Sequence, residues 1–386
     1  MGLIKYNKSV TRIYSVLGST FINILKIFVK SDDRLILFSS FGGKKFDDSP
    51  KAIYELMKND PRFKSYHLVW CLNSPEKYDL PDKCKIKADT IQYFIKTLQA
   101  RVWITNSAME RGLHYTGKHT FYFNTWHGTP IKKMGSDKSN LPSDASKTYK
   151  WKIGCMTAQS DYEADIFSHV FNIPRERFML CGLPRNDILA NYTAEFRESI
   201  REKLNLPAGK KVILYMPTFR EYDRNANMQC VLVPPIDLTK WESKLGSDYI
   251  FLFRAHYEVA KAMDILEDAF VRNVTDYPIL DHLMIASDLL ISDYSSTFFD
   301  YSIMNKPMLH FSYDYDEYAE KRGMYFDIRD YIHGADNEDD LIRQIMNLDE
   351  DEEIKLLEVF RNKYVNYYGN AARQAVDRIY EELLKK

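Results

Sequence analysis

From Arg34 onward, short runs of β-branched and aromatic residues alternate with longer stretches in which apolar residues recur at helical spacing. RLILFSSF, YHLVWCL, RVWITN and HTFYFNTW form one series of such runs, and KVILYMPT, YIFLFRAH, DLLISDYS and PMLHFSY form a second. Strands separated by helix-length connections predict parallel sheets with crossover helices, an α/β fold. The turn-like LPAGKK (Leu206 to Lys211) lies between the helical FRESIREKL and the strand-like KVILYM, and marks a junction between two Rossmann-like halves. These are expected at residues 31–195 and 196–345, with helices over 346–386 packing back across them. The acid-rich piece from Asn337 to Glu353 reads as a solvated loop and helix face.

Residues 1–30 carry another pattern: Lys5, Lys8, Arg12, Lys26 and Lys30 appear with no acid, and Asp32 is the first negative charge. At about 100° per residue, Lys8, Arg12, Ser15, Ser19, Asn23, Lys26 and Lys30 share one arc, opposite Ile13, Tyr14, Leu17, Phe21, Ile24, Leu25 and Phe28. A helix with a basic face and a broad apolar face suits an anionic membrane interface. Asn23 and Lys26 interrupt the roughly 20 apolar residues that a spanning helix needs. No convincing cleavage site for a secretory signal is present, and Tyr6 stands where N-myristoylation wants Ser or Thr. The segment is expected to hold the protein peripherally on the cytoplasmic face of the cell membrane. A helix packed on its own protein or on a second subunit is the alternative.

A length of 386 residues suits two domains, and 45% hydrophobic with 28% charged residues describes a folded globular chain. The 53 Lys and Arg balance 54 Asp and Glu, so no overall field favours nucleic acid as a partner. The cysteines, Cys71, Cys84, Cys155, Cys181 and Cys230, are odd in number, lack CxxC spacing and sit largely in apolar runs. They read as reduced thiols without a chemical role.

The chemistry-bearing residues gather at the ends of the strand-like runs, where ligands of open α/β sheets bind. After FYFN comes Thr125-Trp126-His127-Gly128-Thr129-Pro130, then Lys132 and Lys133. His127 is placed to take a proton, and the backbone around Gly128 and Thr129 to approach a phosphate; a lone His beside a Trp is otherwise a structural residue. KVILYM runs into Pro217-Thr218-Phe219-Arg220, and YIFLF into Arg254-Ala255-His256, which delivers cations and a second His. DLLIS leads into Asp293-Tyr294-Ser295-Ser296-Thr297 and a helical FFDYSIM, a candidate anion site at a helix start. Ordinary N-capping explains the same hydroxyls.

Six words, TWHGTPIKKMG (125–135), CGLPRND (181–187), MPTFR (216–220), RAHY (254–257), SDYSSTFFDYSIMNKP (292–307) and RGMYFD (322–327), occur in an order that resembles the CDP-glycerol glycerophosphotransferase family of teichoic acid primases and polymerases. The resemblance spans residues 35–345 and implies a GT-B-like arrangement, two Rossmann-like domains facing a cleft, behind the amphipathic N-terminal helix. It places CDP-glycerol mainly on the second domain and a lipid-linked saccharide or glycerol phosphate acceptor on the first. His127 falls on the general-base position and His256 on that of a second essential histidine near the pyrophosphate. Thr218, Arg220, Arg254, Ser295 and Ser296 fall on donor-phosphate positions, with Gly128, Thr129, Asp293, Arg322 and Gly323 as secondary candidates. Asn124 replaces a familiar Gln, and CGLPRND a usual TGYPRND. The implied reaction transfers glycerol phosphate to an acceptor hydroxyl and releases CMP. No DxD pair or His-carboxylate spacing demands a metal, so no cofactor is expected; Mg²⁺ is compatible with the chemistry without a motif that asks for it. A CDP-ribitol transferase, a capsule-polymer enzyme with the same donor and a non-catalytic membrane scaffold are the alternatives. Primase and polymerase roles, and the oligomeric state, are left open by the sequence.

Overall fold

The structure is a computed structural model, and it describes residues 8–138, 152–218, 220, 234–255 and 267–385. The chain divides into two compact units that interleave along the sequence. Unit 1 comprises Met1–His127, Asp144–Asp187 and Tyr367–Lys386; unit 2 comprises Gly128–Ser143 and Ile188–Asn366.

Unit 1 is built on a seven-stranded parallel sheet of β1 (Asp32–Ser39), β2 (His67–Leu72), β3 (Lys85–Lys87), β4 (Ala100–Thr105), β5 (Phe121–Asn124), β6 (Cys155–Ala158) and β7 (Phe178–Leu180), in the order β3-β2-β1-β4-β5-β6-β7. Register pairs Ser39 with Thr105 and Thr105 with Asn124, so β1, β4 and β5 end level with one another. Leu35, Ile36, Leu37 and Phe38 are all buried, as a strand covered on both faces requires. On one face Phe38, Tyr54, Trp70 and Phe46 interlock, with Phe38 stacked on Trp70 at 5.6 Å and Phe46 edge-on to Trp70 at 4.6 Å. Ala375, Val376 and Ile379 of the helix Ala371–Leu384 complete that core. Removing each large side chain of this kind from water contributes about 1.5–3 kcal/mol.

The helix α1 (Lys8–Phe28) lies on unit 1. Ile22 is buried, the His114 N–H donates to Ser19 Oγ at 2.8 Å, and Asn23 Nδ2 donates to the His114 carbonyl at 3.0 Å. A side chain at Gly18 would meet Leu113 at 2.7 Å, so the helix approaches closely there. The polar arc read from the sequence therefore does not simply face water: Ser19 and Asn23 dock the helix, and Lys26 is half-buried, its pKa lowered by burial and by Lys152 and Lys118. Tyr14 and Leu25 turn partly inward, while Ile13, Leu17, Phe21, Ile24 and Phe28 stay between 53% and 77% exposed.

Unit 2 holds a six-stranded parallel sheet of β8 (Lys211–Met216), β9 (Tyr249–Phe253), β10 (Val271–Asn273), β11 (Leu289–Ser292), β12 (Met308–Phe311) and β13 (Gly334–Ala335), ordered β10-β9-β8-β11-β12-β13. Its core gathers Tyr215, Trp241, Phe251, Phe253, Phe270 and Leu309. In both units the first strand lies between the second and the fourth, the doubly wound Rossmann order, so each has a switch point where its two halves diverge. The segment after His127 enters unit 2 by pairing with Arg322–Asp327: Lys133 N–H donates to the Gly323 carbonyl at 2.9 Å, Lys132 and Met324 form an antiparallel bridge, and Tyr325 N–H donates to the Ile131 carbonyl at 2.8 Å. Gly323 sits at φ 68° against the Lys133 side chain.

Candidate active site

In unit 1 the switch point lies between β1 and β4, and the loops leaving these strands meet the loop leaving β5. Trp126, just beyond β5, sits at φ 49°, a left-handed conformation that a bulky residue keeps only when its surroundings hold it. Two devices do so. Asn124 accepts the Trp126 N–H through Oδ1 at 2.8 Å and donates through Nδ2 to the Ser107 carbonyl at 2.9 Å. The Trp126 indole packs on Phe167 and Phe171 of α2 (Asp161–Phe171), a helix whose start is capped by Ser160 Oγ accepting from Glu163 N–H.

The turn at Trp126 sets His127, whose ring stacks on the indole at 4.3 Å and lies 5.6 Å from Phe41. His127 Nδ1 is 2.7 Å from the Asn106 carbonyl oxygen. A carbonyl only accepts, so Nδ1 carries the proton and Nε2 is the basic nitrogen of the neutral ring. Burial lowers the His127 pKa, the Asn106 carbonyl and Asp48 work against that, and Arg185 adds to it. The ring is thus held neutral near pH 7 with its lone pair on Nε2, the state a general base needs. Gly128 and the buried Thr129 follow at the start of the segment assigned to unit 2.

In unit 2 the switch point lies between β8 and β11. It brings together Thr218, Arg220 and Asp293: the Asp293 carboxylate accepts the Thr218 N–H at 2.9 Å and Arg220 Nη1 at 2.8 Å. Arg220 also donates to Asp314 at 2.6 and 2.8 Å, and its guanidinium lies between the rings of Tyr294, Tyr313 and Tyr318. Burial opposes its charge, and Asp293 and Asp314 more than offset that. At 1% exposure Arg220 joins two carboxylates, a buried tie between two strand ends. Arg254 donates to the Tyr277 carbonyl at 2.6 Å. Ser295 Oγ accepts the Thr297 N–H at 3.2 Å, a local turn ahead of the short helix Thr297–Ser302, whose N-cap Ser296 makes no side-chain capping bond. Ser296 is half-buried beside it, and the buried hydroxyl of Thr218 has no hydrogen-bond partner among the described residues. Arg322 and Gly323 lie on the strip paired with Ile131–Lys133, and His256 lies outside the described residues.

The sequence reading passed over three residues around His127: Asn106, Asp48 and Arg185. Only Arg185 belonged to a recognised word, CGLPRND. A cavity of about 860 Å³ opens at the amino ends of β1, β2 and β3, lined by Leu35, His67, Val69 and Ile86. It is at the end of the sheet opposite His127. Among the described residues no three His, Cys, Asp or Glu side chains converge as a metal site would require. Cys71, Cys155 and Cys181 are buried free thiols, and burial raises the pKa of each.

Two doubly wound parallel units in one chain are the architecture of a GT-B-like transferase. The chain belongs to the CDP-glycerol:poly(glycerophosphate) glycerophosphotransferase family, whose profile matches residues 21–382. It is 32% identical over 374 residues to a teichoic acid poly(glycerol phosphate) polymerase of Staphylococcus epidermidis, covering 91% of this chain and 51% of that one. The chain thus spans about half the length of that relative. It is 31% identical over 363 residues to a teichoic acid glycerol-phosphate transferase of Staphylococcus aureus, covering 89% of this chain and 91% of that one. Among solved structures, a variant of the wall teichoic acid polymerase TagF soaked with CDPG aligns with a TM-score of 0.84 at 29% identity, over 97% of this chain and 96% of that one.

Proposed function

We propose that this protein transfers glycerol phosphate from CDP-glycerol to a hydroxyl of a lipid-linked acceptor during teichoic acid synthesis. The observation that carries the reading is the His127 ring, held by the Asn106 carbonyl with Nε2 as its basic atom, at the family's TWHGTP position. The acceptor hydroxyl gives its proton to Nε2 as its oxygen attacks the phosphorus bearing the glycerol. The bond from that phosphorus to the CMP oxygen breaks, and CMP leaves with the electron pair. Such transfer depends on positioning and on neutralising charge over phosphate oxygens. Thr218, Ser296 and Arg254 at the strand ends of unit 2, together with His256, hold the donor phosphates, while Arg220 fixes this frame through Asp293. The exposed apolar face of α1, with Arg12 and Lys30 beside it, binds an anionic membrane surface and keeps the enzyme peripheral, near its lipid acceptor. No described helix is long and apolar enough to cross a membrane.

The deciding experiment incubates the full chain with CDP-glycerol, CDP-ribitol and UDP-sugars against lipid-linked disaccharide and glycerol phosphate acceptors, with mass spectrometry of the products. A mass gain of glycerol phosphate from CDP-glycerol alone is expected. Transfer from CDP-ribitol in its place, or from no donor, overturns the reading.

A further inference from the structure

We propose that Asp48 and Arg185 are positioning residues for His127, fixing the aim of its ring and setting the pH at which it takes a proton. The inference rests on His127 as the base, and its test separates the two ideas. Arg185 Nη1 donates to Asp48 Oδ2 at 2.7 Å and to the His127 carbonyl oxygen at 2.9 Å. One guanidinium nitrogen thus ties the main chain of the histidine to a carboxylate at the start of the helix Asp48–Asn59.

The arrangement is built into the fold. The two side chains are only 14% and 6% exposed, and the Arg185 N–H reaches Ser49 Oγ at 3.3 Å. Asp48 is kept at φ 65°, outside the helical range, while its Oδ1 accepts the Ser49 N–H at 2.7 Å. Arg185 arrives on CGLPRND, whose Asp187 caps the helix Ala371–Leu384 by accepting the N–H groups of Ala371 and Ala372 at 2.8 and 2.7 Å. The arginine is thereby anchored on the side away from the histidine.

The groups facing His127 come from four places. Phe41 after β1, Asn106 after β4 and Trp126 after β5 are uncharged; among the described residues, Asp48 and Arg185 are the charged groups that act on the ring. Asp48 favours the imidazolium and Arg185 disfavours it. Because each also partly cancels the other, removing one leaves its partner's full field on the ring. The two losses therefore act in opposite directions.

The test uses the full chain with isotope-labelled histidine, following the imidazole that disappears in His127→Gln by NMR across pH, alongside kcat and KM for CDP-glycerol. Asp48→Asn is expected to move the His127 titration to lower pH, and Arg185→Gln to higher pH, with the double variant between them. Arg185→Lys keeps the charge but loses the planar fork, so its titration stays near that of the parent while kcat falls roughly 10²-fold with KM for CDP-glycerol held. If the His127 titration is the same in the parent, Asp48→Asn and Arg185→Gln, the proposal is overturned; it is equally overturned if Arg185→Lys turns over at the parent rate. Should Arg185→Gln fail to fold, the direction of the shift in the isosteric Asp48→Asn decides. If the imidazole moves as stated and the acid limb of kcat/KM does not follow it, the positioning role stands and the base assignment fails.

Discussion

Arg220 Nη1 donates to the Asp293 carboxylate at 2.8 Å, and the two side chains are only 1% and 2% exposed. With Asp314 on the other side of the guanidinium, β8, β11 and β12 are fastened at their carboxyl ends by one side chain. Arg220→Ala leaves two buried carboxylates uncompensated and is expected to cost about 3–5 kcal/mol of stability. Urea denaturation measures this. Donor affinity falls with it, because the Asp293 carboxylate that holds Thr218 N–H loses its cation. A variant with parental stability would show that the tie is idle.

His127→Ala removes the group proposed above as the base. Turnover is expected to fall about 10²–10⁴-fold while CDP-glycerol binding, followed by calorimetry, stays unchanged. In the parent, burial holds the His127 pKa below its ordinary value, so the competent neutral form persists into mildly acidic solution. Activity should stay level as pH falls from neutrality and drop only below the usual imidazole range. An acid limb above that range would contradict the burial and tautomer described for this ring.

Gly182 has φ 94°, and a side chain there would meet the Tyr367 carbonyl oxygen at 2.5 Å. Gly209 has a similar φ of 82° with nothing within 4 Å. Gly182→Ala should therefore lower the melting temperature more than Gly209→Ala, which carries only the conformational cost of about 1–3 kcal/mol. Equal losses would mean that the segment carrying Tyr367 yields easily.

Leu17, Phe21 and Phe28 of α1 are 65%, 55% and 77% exposed, so replacing them by Gln leaves the docking face intact. The triple variant should melt like the parent, stay in the supernatant when anionic vesicles are sedimented, and lose activity on long-chain lipid acceptors while keeping it on short soluble ones. Lys8, Arg12, Lys26 and Lys30 to Gln should give a milder, salt-sensitive loss, each charge near the surface contributing about 1 kcal/mol. Equal pelleting of the triple variant and the parent would assign the face to another partner.

The long strands could be read directly because strands covered on both faces, such as Leu35–Phe38 and Ile250–Phe253, are uninterrupted apolar runs. The short strands β3, β7, β10 and β13 could not, since two or three residues carry no period. The position of His127 was legible in the TWHGTP word, but its control was not. Asn106, Asp48 and Arg185 lie far from it in sequence: the level ends of β1, β4 and β5 bring the Asp48 and Asn106 loops beside it, and the turn after β7 brings Arg185. The same holds for Arg220, whose partners Asp293 and Asp314 are remote along the chain. For α1, periodicity separated polar from apolar residues without revealing that Ser19 and Asn23 are spent on His114.

The helix Ala371–Leu384 belongs to the core of unit 1, although all of Ile188–Asn366 is made before it. On the ribosome, the sheet of unit 1 emerges ahead of that of unit 2 but cannot close ahead of it. Until Ala375, Val376 and Ile379 arrive, Phe38, Tyr54 and Trp70 lack one wall, and their apolar surface stays open while unit 2 is synthesised and folds. Unit 2 needs only the early strip Gly128–Ser143 and its own continuous stretch, so it can finish first. Closure of the first unit thus waits on a segment made long after its own strands, a long-range and correspondingly slow event.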